Sequence, residues 1–309
     1  LKSKVRDLNH YYLNDWIADQ IHLQGGLYGH THVGAKALSV EREMALFTPL
    51  NIVDFNSIMQ ASLNTDYFYD FLNLGYKMTA SAGTDTPYGG TVGAVRLYAD
   101  CGTNAPFTPD AWFNALKDGH TFVTTGPMVD FKIETARPGD TIAVTNDRPL
   151  EVKIHAWGLR GASAPLKLQL VQFGKVIQEI SATSENQTEL ELTTAVAAGH
   201  GSWLTAHVVG RNRSEAVTTP VYVVRHGFRF WDVNQASALM QKELAVLEDI
   251  EKTVSAAVVQ SGHQPLDYWN RWPAEQAAAL RERVANVRET YQELERKLSQ
   301  EVSERKANP

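Results

Sequence analysis

The sequence contains a single cysteine, Cys101, among its 309 residues. A disulfide within the chain needs two cysteines, and a thiolate zinc site needs several, so both are excluded. Any metal ion that the chain binds must therefore be held by histidine, carboxylate and water.

Positive charge and long apolar runs are also scarce. The chain has 29 Lys and Arg residues against 35 Asp and Glu residues, a net charge of −6, and it has no long basic block. This balance argues against nucleic acid or an anionic membrane surface as a partner. No apolar run approaches the roughly 18 residues of a membrane-spanning helix. We therefore expect no nucleic acid and no membrane partner.

Hydrophobic residues make up 43% of the chain, which is enough for a substantial core. The length fits about two domains, and the sequence divides into three zones. Residues 1–127 alternate helix-like and strand-like patterns, which favours parallel βα units. Residues 128–228 hold short β-rich runs separated by turn residues, which predicts an antiparallel β-sandwich. Residues 229–309 are predicted to form a helical hairpin.

Capping residues predict several boundaries in the first zone. Thr108 is a helix cap with Pro109 in the first turn and Gly119 at the stop, and a second helix closes at Gly75. The stretches "NIVDFNSIM", "MTASAGTD" and "GAVRLYAD" are strand-like. An N-terminal helix that ends on glycines is indicated by the spacing of Leu13, Trp16, Ile17 and Ile21.

Two series of apolar residues in the third zone recur every three or four positions, as on one face of a helix. Gly262, Pro265 and Pro273 lie between the two series and predict a break. The series are Leu244, Leu247, Ile250, Val254 and Val258, and then Leu280, Val284, Val287, Tyr291, Leu294, Leu298 and Val302.

Polar residues follow two of the strand-like runs. In "GGLYGHTHVG", His30 and His32 come after a short apolar run, and Asp85 lies in the glycine-rich loop "SAGTDTPYGG". Ligands in parallel α/β folds are held at the carboxyl ends of strands, so His32 and Asp85 are expected at equivalent strand ends. A divalent metal accepts this nitrogen and oxygen mixture. Thr-Asp-Thr-Pro is also good turn chemistry, so a plain turn role for Asp85 stays open.

Four segments, in this order, resemble the CehA/McbA (carbaryl hydrolase-type) branch of the PHP metallohydrolases. They are "GGLYGHTHVG", "FLNLGYKMTASAGTDTPYGGTVGAVRLYA", "FNALKDGHTFVTTGPMVDFKI" with "PGDTI", and "AVTTPVYV". The resemblance covers about residues 10–225, and the block "GHTFVTTGP" is its most distinctive piece. It implies that the first zone is part of a PHP-type layer, a distorted βα barrel, giving a fold of α/β plus β class.

The resemblance also assigns metal-ligand positions. His32 matches the family's ligand histidine after a Gly-Gly turn, and Asp85 matches the aspartate of its G-[ST]-D loop. Several PHP proteins carry a further ligand histidine where this chain has Pro87, and His30 is the candidate to replace it.

Other parts of the family pattern are missing. The acidic ligand on a middle strand has no clear match, because the comparable stretch offers Asp54 and then Ser57. The family's N-terminal His-x-His strand would precede Leu1, and residues 1–127 are too few for a complete barrel of roughly 200 residues or more. We therefore expect the C-terminal part of a longer enzyme, whose missing N-terminal segment supplies further ligands.

Two further residues are candidates for catalysis. Arg96 matches a family arginine and is expected either to hold an anionic or carbonyl oxygen or to form a structural ion pair. His120 follows a helix C-terminus, where a histidine is electrostatically favourable, and is a candidate ligand or acid–base group.

The function implied by the resemblance is metal-dependent hydrolysis of an ester, carbamate, amide or phosphoester in a small-molecule substrate. A divalent Zn, Fe or Mn ion would activate the attacking water. The alternative is a non-catalytic PHP-like binding or assembly module with a degenerate site. Pro87 and Ser57 favour the alternative, whereas His32 and Asp85 favour the enzyme.

The C-terminal hairpin is expected to pack on the protein or to mediate a homo-oligomer. The family resemblance and the start of the sequence at Leu1 favour a periplasmic or secreted protein over a cytoplasmic one.

Overall fold

The computed structural model describes residues 17–33, 38–60, 62–87, 90–102, 106–161, 163–263 and 273–307. The chain divides into two compact units. The first consists of Leu1–Tyr28, Gly34–Val53 and Val233–Pro309, and the second of Gly29–Val33 and Asp54–Asp232. Residues 17–23 are helical, as predicted, while Leu13, Trp16 and Pro265 lie outside the described residues.

The elements are numbered in chain order. The helices are α1 (Leu38–Phe47), α2 (Asp66–Asn73), α3 (Pro109–Lys117), α4 (Ala236–Ser261) and α5 (Ala277–Ala307). The strands are β1 (Gly29–His30), β2 (Phe55–Met59), β3 (Ala80–Ala82), β4 (Arg96–Ala99), β5 (Thr121–Thr124), β6 (Met128–Ile133), β7 (Thr141–Val144), β8 (Pro149–Trp157), β9 (Pro165–Gln172), β10 (Lys175–Ser181), β11 (Glu189–Ala197), β12 (Gly201–Gly210), β13 (Glu215–Thr218) and β14 (Val221–Arg225).

The first unit is built from long helices, which confirms the prediction for the C-terminal zone. Helices α4 and α5 pack against each other, and both contact α1. Ion pairs join α1 to α4 through Arg42 and Asp249 at 2.5 Å, and α4 to α5 through Glu251 and Arg288 at 2.9 Å. The apolar positions that are buried in α4 and α5 include Leu247, Ile250, Val254, Leu280, Val284, Val287, Tyr291, Leu294 and Leu298.

Helix α1 was not predicted from the sequence. Four consecutive residues at its end are fully buried: Met44, Ala45, Leu46 and Phe47. Its charged residues Arg42 and Glu43 are buried too, so the helix lacks the alternation of apolar and polar faces from which helices are recognised. No helix among the described residues is long and apolar enough to cross a bilayer.

The second unit begins with a three-stranded parallel sheet in the order β1-β2-β3. The predicted strands in "NIVDFNSIM" and "MTASAGTD" are confirmed as β2 and β3, and helix α2 between them ends before Gly75, whose φ is 82°. Parallel βα units are therefore present in this part of the chain. Their carboxyl ends point to one edge of the sheet.

The strand–helix–strand unit β4-α3-β5 follows a different course. Strands β4 and β5 are antiparallel to each other, and β5 also pairs with β13 in an eight-stranded sheet. Two strands joined by a helix can pair in parallel or antiparallel, so the alternation of strands and helices in the sequence did not predict this antiparallel pair. Strands from both sides of the boundary expected at residue 127 share this sheet. The described strands form open sheets with no closed barrel among them.

The β-rich zone forms two sheets that enclose one core. The three-stranded sheet β11-β8-β6 is antiparallel, and the eight-stranded sheet runs β10-β9-β12-β13-β5-β4, with β14 paired to β12 and β7 paired to β14. The antiparallel pairing predicted from residues 128–228 is thus confirmed, apart from the parallel pair β7 and β14. The shared core includes Phe131, Ile133, Leu150, Val152, Ile154, Leu168, Leu170, Leu204, Ala206 and Val208.

Two buried threonines join the parallel sheet to the eight-stranded sheet. The backbone N–H of Ala80 on β3 donates to Thr219 Oγ1 at 2.8 Å, and Thr121 Oγ1 donates to the Ala80 carbonyl at 2.8 Å. The two hydroxyls also bind each other at 2.8 Å. Side chains therefore satisfy an edge of β3 that a neighbouring strand would otherwise satisfy.

We expect Thr219→Val to lower the free energy of unfolding by about 1–3 kcal/mol, because it leaves the buried Ala80 N–H without its acceptor. Valine has nearly the same shape as threonine, so the loss of unfolding free energy measures the contribution of the hydroxyl group. Urea unfolding measures it, with Thr193→Val on an exposed position of β11 as the control. Equal unfolding free energies for the two variants would contradict the role of the threonine junction.

Candidate metal centre

Three polar side chains meet at the carboxyl ends of the parallel strands. His32 follows β1, Gln60 follows β2 directly, and Asp85 comes three residues after β3. The loops that carry them are tied to β2, because Val33 N donates to Ser57 O at 3.0 Å and Gly83 N donates to Met59 O at 3.3 Å. The parallel sheet thus brings His32 and Asp85 to one place.

The amide of Gln60 connects the other two side chains. Gln60 Nε2 donates to Asp85 Oδ2 at 2.5 Å, and Gln60 Oε1 lies 2.8 Å from His32 Nδ1. Because both hydrogen bonds use one amide group, the His32 and Asp85 atoms lie within about 8 Å of each other. His32 and Asp85 are exposed, and Gln60 is half-buried.

This chain of hydrogen bonds determines the tautomer of the neutral imidazole. An ionised carboxylate only accepts hydrogen bonds, so the Gln60 NH₂ group faces Asp85 and its oxygen faces His32. The Nδ1 of His32 must then carry a proton. In the neutral ring, Nε2 keeps its lone pair and is the nitrogen able to bind a metal ion.

The backbone at both donor residues is strained. His32 has a φ of 58° and Asp85 a φ of 48°, in the left-handed region that costs a non-glycine residue about 1–2 kcal/mol. Such conformations cluster at functional sites, where the surrounding structure holds them in place.

His30 has a different environment from His32. It lies within β1, in register with Asn56, and is 2% exposed. Among the described residues, no group of three or more His, Cys, Asp or Glu side chains has an arrangement suited to a metal ion. A ligand set of His30, His32 and Asp85 therefore stays a prediction.

Arg96 lies at the same edge as Asp85. Thr84, next to Asp85, accepts from Val95 N at 3.3 Å and donates to Val95 O at 3.2 Å, and Val95 immediately precedes Arg96. The guanidinium donates from NH1 to Gly93 O at 3.1 Å. Its Nε is buried and has no hydrogen-bond partner within the described part of the chain.

His120 lies at the opposite end of β3. It precedes Thr121, which contacts Ala80, the first residue of the strand. Its Nδ1 donates to Pro138 O at 2.7 Å and lies 3.9 Å from Asp140 Oδ1, and its side chain is 11% exposed. The structure therefore does not bring His120 to the edge where His32 and Asp85 meet.

A surface ion pair lies beside His120. Asp100, whose N–H binds the His120 carbonyl, pairs with Arg137 at 2.8 Å. Partial burial acts to raise the pKa of the Asp100 carboxyl, but the N–H of Gly102 and the Arg137 guanidinium outweigh it and hold that pKa below its ordinary value.

Sequence reasoning missed Gln60. It directed attention to Asp54 and Ser57, but Asp54 precedes β2, and Ser57 lies inside β2 in register with Ser81 of β3. The signal was present, because Gln60 is the first residue after the strand "FNSIM" and strand ends carry ligands. Gln60 carries an amide rather than the acidic side chain expected near this position.

Comparison with known proteins adds no family. No protein-family model and no curated protein matches the chain. A solved crystal structure of an engineered protein is similar at 10% identity, over 63% of this chain and 47% of that chain, with a TM-score of 0.22. The chain thus spans about half of that protein, and the likeness is too low to carry an argument.

We expect Asp100→Asn to lower the free energy of unfolding by less than about 1 kcal/mol at neutral pH. Since the pKa is depressed in the folded state, the carboxylate stabilises the fold above its ordinary pKa. This stabilisation is lost as the pH falls through the folded-state pKa. Urea unfolding at neutral and strongly acid pH measures the effect, with Asp19→Asn on an exposed residue as the control. A difference that persists in strong acid would contradict the assignment.

Proposed function

We propose that the protein is a metal-dependent hydrolase of the PHP type, in which His32 and Asp85 are two of the metal ligands. The observation that carries the proposal is the shared amide of Gln60, which holds these two side chains together at the carboxyl ends of three parallel strands. The substrate would be a small ester, carbamate, amide or phosphoester. The parallel sheet would be part of the distorted PHP barrel.

The donor atoms suit a divalent ion of the Zn, Fe or Mn kind. The Nε2 of His32 is a neutral imidazole nitrogen, and Asp85 contributes carboxylate oxygen and negative charge. These donors do not fill a shell of about four ligands. In the proposal, His30 is the nearest further candidate in the sequence, and the remaining ligands come from outside the described residues.

The side chains have separate tasks in this proposal. A bound divalent ion lowers the pKa of a coordinated water and polarises the scissile bond. Gln60 orients the imidazole of His32 and one oxygen of Asp85, as the partners behind metal ligands commonly do. In this proposal, the guanidinium of Arg96 holds a carbonyl or phosphoryl oxygen of the substrate. His120 lies at the opposite end of β3 and donates from Nδ1 to Pro138 O, so this proposal gives it no part in the reaction.

A binding or assembly module with a degenerate site is the second candidate. The hydrogen bonds of Gln60 favour this second candidate. An amide lies between His32 and Asp85, where a metal site of this family would have an acidic ligand. A periplasmic or secreted location belongs to the proposal as well, supported by the family resemblance alone.

We expect His32→Ala and Asp85→Asn to abolish retention of manganese or zinc in the full-length protein, because each removes a ligand. Metal content after dialysis, measured by mass spectrometry, tests this beside hydrolysis of p-nitrophenyl acetate and phosphate. His155→Ala, on the outer face of β8, is the matched control. Metal content equal to wild type in both variants would exclude these residues as ligands.

We expect Gln60→Glu to raise the affinity for manganese about tenfold or more, because a carboxylate of the same size behind the imidazole adds negative charge and makes His32 a more basic ligand. Without a cation, the new carboxylate repels Asp85, so the gain depends on the metal. Titration calorimetry of wild type and variant separates the two candidate functions. An intact enzyme binds manganese before the substitution, whereas a degenerate module binds it only afterwards. No binding by either protein would contradict both assignments of this edge.

A further inference from the structure

Three loops at one end of the sandwich line an open cleft of about 450 Å³, called the cavity below. They connect β8 to β9, β10 to β11, and β12 to β13. Loops at the end of a sandwich are held by a rigid scaffold and commonly carry binding sites. The cavity is lined by Arg160, Gly161, Leu166, Glu185, Asn186, Arg211 and Asn212.

Hydrogen bonds between the loops fix the shape of the cavity. Asn212 Nδ2 donates to Gly161 O at 3.3 Å, and Arg211 donates from NH2 to Glu185 O at 2.9 Å. Arg160 donates from NH2 to Asn186 Oδ1. Each loop is bonded to another, so the lining residues are arranged before any ligand arrives.

Arg211 has donor capacity that the loops do not use. Its NH2 group donates to Ser184 O and Glu185 O, while its Nε is buried and has no hydrogen-bond partner among the described residues. That N–H has almost no exposed surface, so an acceptor in the cavity meets the NH1 and NH2 groups of the guanidinium instead. The turn that carries it is also strained, with Asn212 at a φ of 54° and Arg213 at 61°.

The charges of the cavity select the kind of ligand. Arg160 and Arg211 are two cations against the single anion of Glu185, so one positive charge is in excess. Asn186 and Asn212 offer amide groups that pair with hydroxyls, and Leu166 offers a small apolar contact. A volume of this size accommodates a small molecule rather than a single ion.

We propose that this cavity binds a hydroxylated monoanion of the sugar-acid class. Its carboxylate lies against Arg211 and Arg160, and its hydroxyls lie against the two asparagines. The site shares no residue with the candidate metal centre, so the proposal stands whether or not the protein hydrolyses anything. The hydrogen bonds between the loops use Asn186 Oδ1 and Asn212 Nδ2, which leaves Asn186 Nδ2 and Asn212 Oδ1 for the hydroxyls of the ligand.

Titration calorimetry with glucuronate tests the proposal, with glucose as the neutral probe and inorganic phosphate as the probe of another anion. We expect glucuronate to bind and glucose not to bind. We expect Arg211→Gln and Arg160→Gln each to weaken glucuronate binding about tenfold or more, the loss of one charge-assisted contact. Arg213→Gln removes the same charge from the same turn without touching the lining, and should bind glucuronate as wild type does.

Several outcomes would overturn the proposal. Absence of glucuronate binding would do so, as would equal binding of glucose, or an equal loss of affinity in the Arg213→Gln control. Binding of phosphate without glucuronate would overturn the sugar-acid assignment. If Arg211→Gln fails to fold, as judged by circular dichroism, Arg160→Gln decides the matter, because Arg160 is exposed.

Discussion

The hydrogen bonds of Ala80 determine where one kind of sheet ends and another begins. Backbone groups on the outer edge of β3 are buried and must be paired. A fourth parallel strand would satisfy them and continue the layer. Here the hydroxyls of Thr121 and Thr219 satisfy them instead, so the parallel layer ends at β3 and the eight-stranded sheet begins beside it. The loop with Asp85 leaves β3 three residues later, and its position depends on this junction.

The direction of each strand past the junction explains the positions of Arg96 and His120. Thr121 contacts the start of β3, while Thr84 after β3 bonds Val95, next to the residue that pairs with Thr124 at the end of β5. Strand β5 therefore runs in the same direction as β3, and the residue before β5 lies at the starting end. Strand β4 is antiparallel to β5, and its first residue therefore lies at the end where β3 finishes. Arg96 thus comes near Asp85, although both it and His120 stand at the beginning of a strand.

The sequence was most informative where local chemistry decides the structure. Thr108 accepts from Ala111 N as a helix cap, and Gly119 adopts the positive φ of a helix stop. It was less informative about strand direction, because the pairing of β4 with β5 depends on residues far apart in the chain. Strand ends correctly indicated that His32 and Asp85 would meet. They did not reveal Gln60, since an amide that bridges two charged groups leaves no pattern of its own in a sequence.

The left-handed backbone at His32 and Asp85 has a consequence for how damaging substitutions would be recognised. Glycine adopts this conformation freely, and the entropy it loses on folding is similar in size to the strain it relieves. Replacing either residue by glycine therefore removes the imidazole or the carboxylate with little change in melting temperature. Most harmful substitutions are detected because the protein unfolds or is produced in low yield. At these two positions the altered protein would be abundant and well folded, and a survey based on expression or thermal stability would pass over them.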